Sequence, residues 1–134
     1  MNKRRNKMNE KLMRAVKRQL GSDYRDQFED IYNHGVDGGF SGFIYYSDTV
    51  AFFKRNKAEI VELVKEYASQ FDQSPIEFVK SFRCLEGDDD MEEEIAQALY
   101  GKLDEDNYTV PNALAWFAAE QAAQEYMENS LQEQ

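Results

Sequence analysis

The chain has 134 residues, 42% of them hydrophobic, with eight Tyr, nine Phe and one Trp, and a formal net charge of −10. These values exclude a disordered chain, and at this length about two-thirds of the surface is expected to be buried in one domain. Disulfide and zinc frameworks are excluded because Cys84 stands alone, and no run of 18 apolar residues offers a transmembrane span.

No apolar h-region follows the charged N-terminus, so no signal peptide is expected and the cytoplasm is the default compartment. The charge is unevenly placed. Residues 1–19 hold eight Lys or Arg against one Glu, a net +7, and the remaining 115 residues carry −17. A body this acidic repels nucleic acid, so direct binding to DNA or RNA is expected only through the basic N-terminal helix.

In chain order, residues 1–7 read as a flexible basic arm and residues 8–134 as one helical domain. Met8, Leu12, Val16 and Leu20 form one helical stripe with Lys11, Arg14, Lys17 and Arg18 on the other faces, and Gly21 is the expected stop. Ser22 or Asp23 can cap a second helix through about Asn33, with Tyr24, Phe28, Ile31 and Tyr32 as its apolar face. Four of the seven glycines then fall within residues 35–42, which predicts a reversal. Phe43 to Tyr46 is apolar and aromatic, and its periodicity does not choose between an extended segment and a helical turn.

Ser47 or Asp48 is read as the cap of a helix carrying Phe52 and Phe53. Asn56 to Glu59 resembles a capping box opening a helix with Ile60, Val61, Leu63, Val64, Tyr67, Ala68 and Phe71 inward. Ser74-Pro75-Ile76-Glu77 is a stronger start, combining a cap, Pro at the first position and Glu at the third, for a helix ending near Phe82. A helix from Asp90 is expected to bury Ile95, Ala98 and Leu99 and to extend toward Leu103. The last helix, from the turn holding Pro111 to about Leu131, is Ala-rich with Trp116 and Phe117, and it is expected to be the spine of the core. The class is therefore mainly α, a compact bundle of about five to seven helices with a glycine-rich reversal near residues 35–42.

Few residues suggest chemistry. His34 is the only histidine, with Ser41, Ser47 and Asp48 near it in sequence, but no nucleophile elbow accompanies them, and a helix C-terminus is the plainer place for His34. The glycine run lacks the Gly-Lys-Ser/Thr of a phosphate loop. A small-ligand or enzymatic site built on His34, Gly38, Gly39, Tyr45, Tyr46 and Asp48 is retained as the alternative reading. Residues 86–106 hold ten acidic residues and one basic residue, yet neither Asp88-Asp89-Asp90 nor Asp104-Glu105-Asp106 has the glycine or the final glutamate of an EF-hand. No metal or cofactor is expected. Asp48, Asn112 and Glu120 border apolar runs and could form a buried polar cluster, although caps and solvent-facing positions account for them more simply. The basic helix would suit an anionic membrane, RNA or an acidic partner, but its stripe has no Trp or Phe, and docking onto the domain explains it equally well.

Two segments carry a resemblance. The first runs from His34 through Gly35, Gly38, Gly39, Ser41 and Gly42 to Phe43-Ile44-Tyr45-Tyr46-Ser47-Asp48-Thr49. The second is Asn112-Ala113-Leu114-Ala115-Trp116-Phe117-Ala118 with Glu120. Together they resemble a small uncharacterised protein family of phages and other mobile elements, over residues 24–127. The resemblance implies a setting, a bacterial cytoplasm and a phage or plasmid gene, and no activity. The resulting expectation is a non-enzymatic interaction, accessory or inhibitor protein that meets a basic partner through Asp88, Asp89, Asp90, Glu92, Glu93 and Glu94. The Ala-rich last helix is also compatible with a homodimer.

Overall fold

Apolar residues recurring every three or four positions give seven α-helices in the computed structural model, which describes residues 8–35, 46–82, 85 and 91–132. They are α1 (Glu10–Leu20), α2 (Tyr24–His34), α3 (Tyr46–Arg55), α4 (Lys57–Gln70), α5 (Pro75–Lys80), α6 (Met91–Tyr100) and α7 (Thr109–Gln132), with no strand among the described residues. The chain is thus mainly α, at the upper end of the expected helix number. The basic arm at residues 1–7, the reversal beyond Gly35 and the segment Phe43 to Tyr45 lie outside the described residues.

Helix α7 is the spine. At about 1.5 Å per residue its 24 residues extend roughly 36 Å. Val110, Ala113, Leu114, Ala115, Phe117, Ala118, Ala119, Ala122 and Ala123 are all buried. Such positions cover most of the helix circumference, so α7 needs neighbours on several sides, and it packs against α1, α2, α3, α4 and α6. The small alanines let these helices approach closely. Phe117 fills the gap toward α4 and α5, edge-on to Tyr67 at 5.6 Å and to Phe78 at 5.6 Å, and tilted against Phe82 at 5.2 Å.

The N-terminal stripe docks onto the domain, which decides between the readings open in the sequence: Met8, Leu12, Val16 and Leu20 are buried. Asn9 caps α1, its Oδ1 accepting from the N–H groups of Lys11 at 2.8 Å and Leu12 at 3.3 Å. The Met8 N–H donates to Glu125 Oε1 at 2.7 Å, which ties the start of α1 to the second half of α7. Gly21 ends α1 at φ +92, a left-handed conformation that side-chain-bearing residues rarely adopt. Helix α2 buries Phe28 and Ile31, and Tyr24, Phe28 and Tyr126 form an aromatic cluster with the Lys17 ammonium 5.3 Å from the Tyr24 ring.

Several local expectations are corrected. Helix α3 begins at Tyr46, so Ser47 and Asp48 lie inside its first turn and do not cap it. Asn56 caps nothing with its side chain. It is buried between α3 and α4, and its Nδ2 reaches back to the Phe52 carbonyl at 2.9 Å, so the capping box read over 56–59 does not form. Phe71 is 63% exposed, because α4 ends at Gln70 in a Schellman turn. There Gln73 N–H donates to Ala68 O at 2.9 Å, Asp72 N–H donates to Ser69 O at 3.2 Å, and Asp72 takes φ +57. Tyr32 is exposed at the edge of α2. Helix α5 ends at Lys80, two residues short of Phe82, and α6 stops at Tyr100, so Leu103 lies in the connection to α7. The Ser74 start forms as a full capping box, with both hydrogen bonds near 3 Å.

Candidate acidic docking surface

The acidic residues singled out at the start of α6 divide four ways. Asp88, Asp89 and Asp90 lie outside the described residues. Glu92, Glu93 and Glu94 occupy the first turn of α6, where carboxylates are favoured by the helix dipole. Glu92 accepts from Lys80 Nζ at 2.8 Å, and that hydrogen bond, with the lysine's charge, pulls its carboxyl below the ordinary range. Glu93 faces solvent. Glu94 turns inward, its Oε1 buried with no hydrogen-bond partner in the structure. Glu92 and Glu93 are both exposed, and Glu92 is the one already paired with Lys80.

Below this turn, Asn107 knits the α6–α7 connection to α6. Its Nδ2 donates to the Glu94 carbonyl and to Gln97 Oε1, both at 2.9 Å, and Gln97 Oε1 also accepts from Asp104 N–H at 3.2 Å. The Asp104 to Asp106 acids are therefore held on a structured loop, and all three are exposed.

A second acidic surface was not singled out in the sequence. Between the start of α1 and the outer face of α4 lies a cleft of about 340 Å³ lined by Asn9, Ala58, Glu59, Glu62, Leu63 and Glu66. Helical spacing puts residues 59, 62, 63 and 66 on one side of α4, at i, i+3, i+4 and i+7. Leu63 is buried and forms part of the floor, and the carboxylates stand around it. Glu59 is the most enclosed, its side chain 18% exposed, and it pairs with Lys11 Nζ at 3.3 Å. Partial burial and the neighbouring Glu62 charge raise the Glu66 carboxyl above its ordinary range. A period-3.6 scan for acids flanking a core position would have found this row. In the sequence the capping-box pattern at Asn56 to Glu59 hides this row.

Of the alternative site, only His34 and Asp48 have side chains among the described residues. His34 ends α2 as expected, but it is exposed, and its Nδ1 lies 3.1 Å from Asp30 Oδ1 on its own helix. Gly38, Gly39 and Tyr45 lie outside the described residues, Tyr46 is described only as the first residue of α3, and Asp48 is half-buried in that helix's first turn. The polar cluster read around Asn112 exists in another form. Buried Thr49 donates from Oγ1 to Asn112 Oδ1 at 2.7 Å, linking α3 to α7 within the core, whereas Glu120 is exposed. Among the described residues no three acidic, histidine or cysteine side chains gather as a metal site would need, and no helix is long and apolar enough to cross a membrane.

Fold and surface together define a small all-α protein with a basic first helix and acidic faces on α4 and α6. The chain belongs to the family described as Domain of unknown function (DUF7222), whose model matches residues 5–133. That match takes in α1 and reaches past the 24–127 span of the two sequence segments. No curated protein and no solved structure matches the chain.

Proposed function

We propose that this protein is a non-enzymatic accessory or inhibitor protein of a phage or other mobile element, acting in the bacterial cytoplasm by binding a basic protein through its acidic surface. The observation that carries this reading is the separation of charge: −17 over residues 20–134, against +7 over residues 1–19. Exposed carboxylates at Glu62, Glu66, Glu93 and Glu105 keep part of that charge at the surface, where it would steer a cationic partner at long range. The mobile-element setting rests on the two sequence segments His34 to Thr49 and Asn112 to Glu120.

Affinity purification of the tagged protein from bacterial lysate at low and moderate salt tests the reading, with a variant carrying Asp88, Asp89, Asp90, Glu92, Glu93 and Glu94 as their amides. A basic protein held at low salt, released at moderate salt and weakly held by the variant is the expected result. Equal retention by both proteins would remove the start of α6 from the interface. Retention of no basic protein at low salt would overturn the proposal.

A further inference from the structure

We propose that the cleft between α1 and α4 seats a lysine or arginine side chain from a basic segment of a partner protein. This inference rests on the interaction reading above and assigns it a place. The cleft has the two properties that a long cationic side chain requires. Leu63 and Ala58 offer apolar surface for the methylene stem, and Glu59, Glu62 and Glu66 offer carboxylates for the head. Its volume of about 340 Å³ is ample for one such side chain.

The chain itself supplies the precedent. Lys11 already places an ammonium 3.3 Å from Glu59, one of the cleft's carboxylates, whose side chain is 18% exposed. Glu62 and Glu66 are left facing each other across one helical turn. Like charges at that spacing repel, which is one reason the Glu66 carboxyl is raised, and an incoming cation would relieve the repulsion. A bare metal ion fits less well, because these carboxylates do not converge on a common point. An organic cation on a flexible stem has no such requirement.

Fluorescence anisotropy of a fluorescein-labelled nonalysine peptide, titrated at low salt with the full chain, tests this. Glu62→Gln with Glu66→Gln is expected to weaken binding about tenfold, whereas Glu93→Gln with Glu105→Gln, which removes the same charge elsewhere, is expected to weaken it less than about twofold. Ala58→Trp, which narrows the cleft and leaves every charge in place, is expected to weaken binding as well. Equal weakening by the two charge pairs, or full binding by Ala58→Trp, would overturn the cleft assignment and leave the acidic-surface reading standing. Failure of the wild-type chain to bind the peptide would overturn both. A concentration-dependent dimer in sedimentation, lost in the Glu62→Gln/Glu66→Gln variant, would make the basic α1 of a second copy the occupant and overturn the assignment to a partner protein.

Discussion

Helices α4 and α7 are the two long helices that meet at Tyr67 and Phe117, and they use their surfaces in opposite ways. Around α7 the buried positions run almost continuously from Val110 to Ala123. Helix α4 buries only Ile60, Leu63, Val64 and Ala68, and presents Glu59, Glu62 and Glu66 beside that stripe. A helix enclosed on several sides is specified by shape, because every added or missing methylene meets a neighbour. A half-buried helix is specified by its stripe alone, which leaves the remaining positions free to carry charge. The contrast indicates where substitutions should disturb folding and where they should disturb binding.

The largest effect should come from the junction of the two helices. Phe117→Ala empties the space shared by Tyr67, Phe78 and Phe82 and should cost about 3–5 kcal/mol in chemical denaturation. Loss of less than about 1 kcal/mol would show that this cluster is not tightly packed. A matched pair of alanines comes next. Ala118→Leu in α7, where the residue is fully buried, should cost about 1–3 kcal/mol by overpacking. Ala58→Leu on exposed α4 should stay within about 0.5 kcal/mol. Similar costs at both sites would erase the distinction drawn between the helices.

The ends of α4 and α5 give smaller and opposite effects. Ser74→Ala removes one half of the capping box and should cost about 1 kcal/mol. Asp72→Gly should raise stability by about 0.5–1 kcal/mol, since glycine tolerates φ +57 without a Cβ clash. A destabilised Asp72→Gly protein would mean that the Asp72 side chain makes a compensating contact.

The least effect on stability is expected at the cleft, where pH becomes the useful variable. Partial burial and the Glu62 charge act on Glu66, while Glu59 of the same row pairs with Lys11 of α1, so the folded Glu66 carboxyl binds protons more readily than in the unfolded chain. Its contribution therefore favours the folded state below the raised value and is lost as pH rises through it. Glu92 has the opposite sign: its pairing with Lys80 supports the fold above the ordinary glutamate range and is lost as pH falls through the lowered value. Nonalysine affinity should accordingly begin to fall, on acidification, at a higher pH in the wild type than in Glu66→Gln. Identical pH profiles would show that Glu66 takes no part in binding.

Much of the fold was legible from local chemistry. The stripe from Met8 to Leu20, the Ser74-Pro75-Glu77 start and the Ala-rich last helix each combine periodicity with a local signal, and local signals act over one or two turns. The misreadings share a cause. Asn56, Ser47 and Asp48 have cap chemistry, but at those positions the chain is already helical or turns so tightly that Asn56 bonds backward to Phe52. Phe71 and Tyr32 looked like core residues by type and spacing, and were left outside by where their helices end and what packs beside them. Of the acids chosen from the sequence, Glu92 is tied to Lys80 twelve residues away and Glu94 is turned inward.

By itself the sequence determined the helical class, the capping box at Ser74, the apolar stripe of the first helix and the role of α7 as spine, because these depend on periodicity and on groups within a few residues of each other. Only the tertiary structure decided that Asn9 of α1 and the glutamate row of α4 share one cleft, that Lys11 pairs with Glu59, and that Thr49 meets Asn112 across 63 residues. Those contacts depend on how helices far apart in the chain are brought together around α7, and a concave charged surface exists only once two such helices lie side by side.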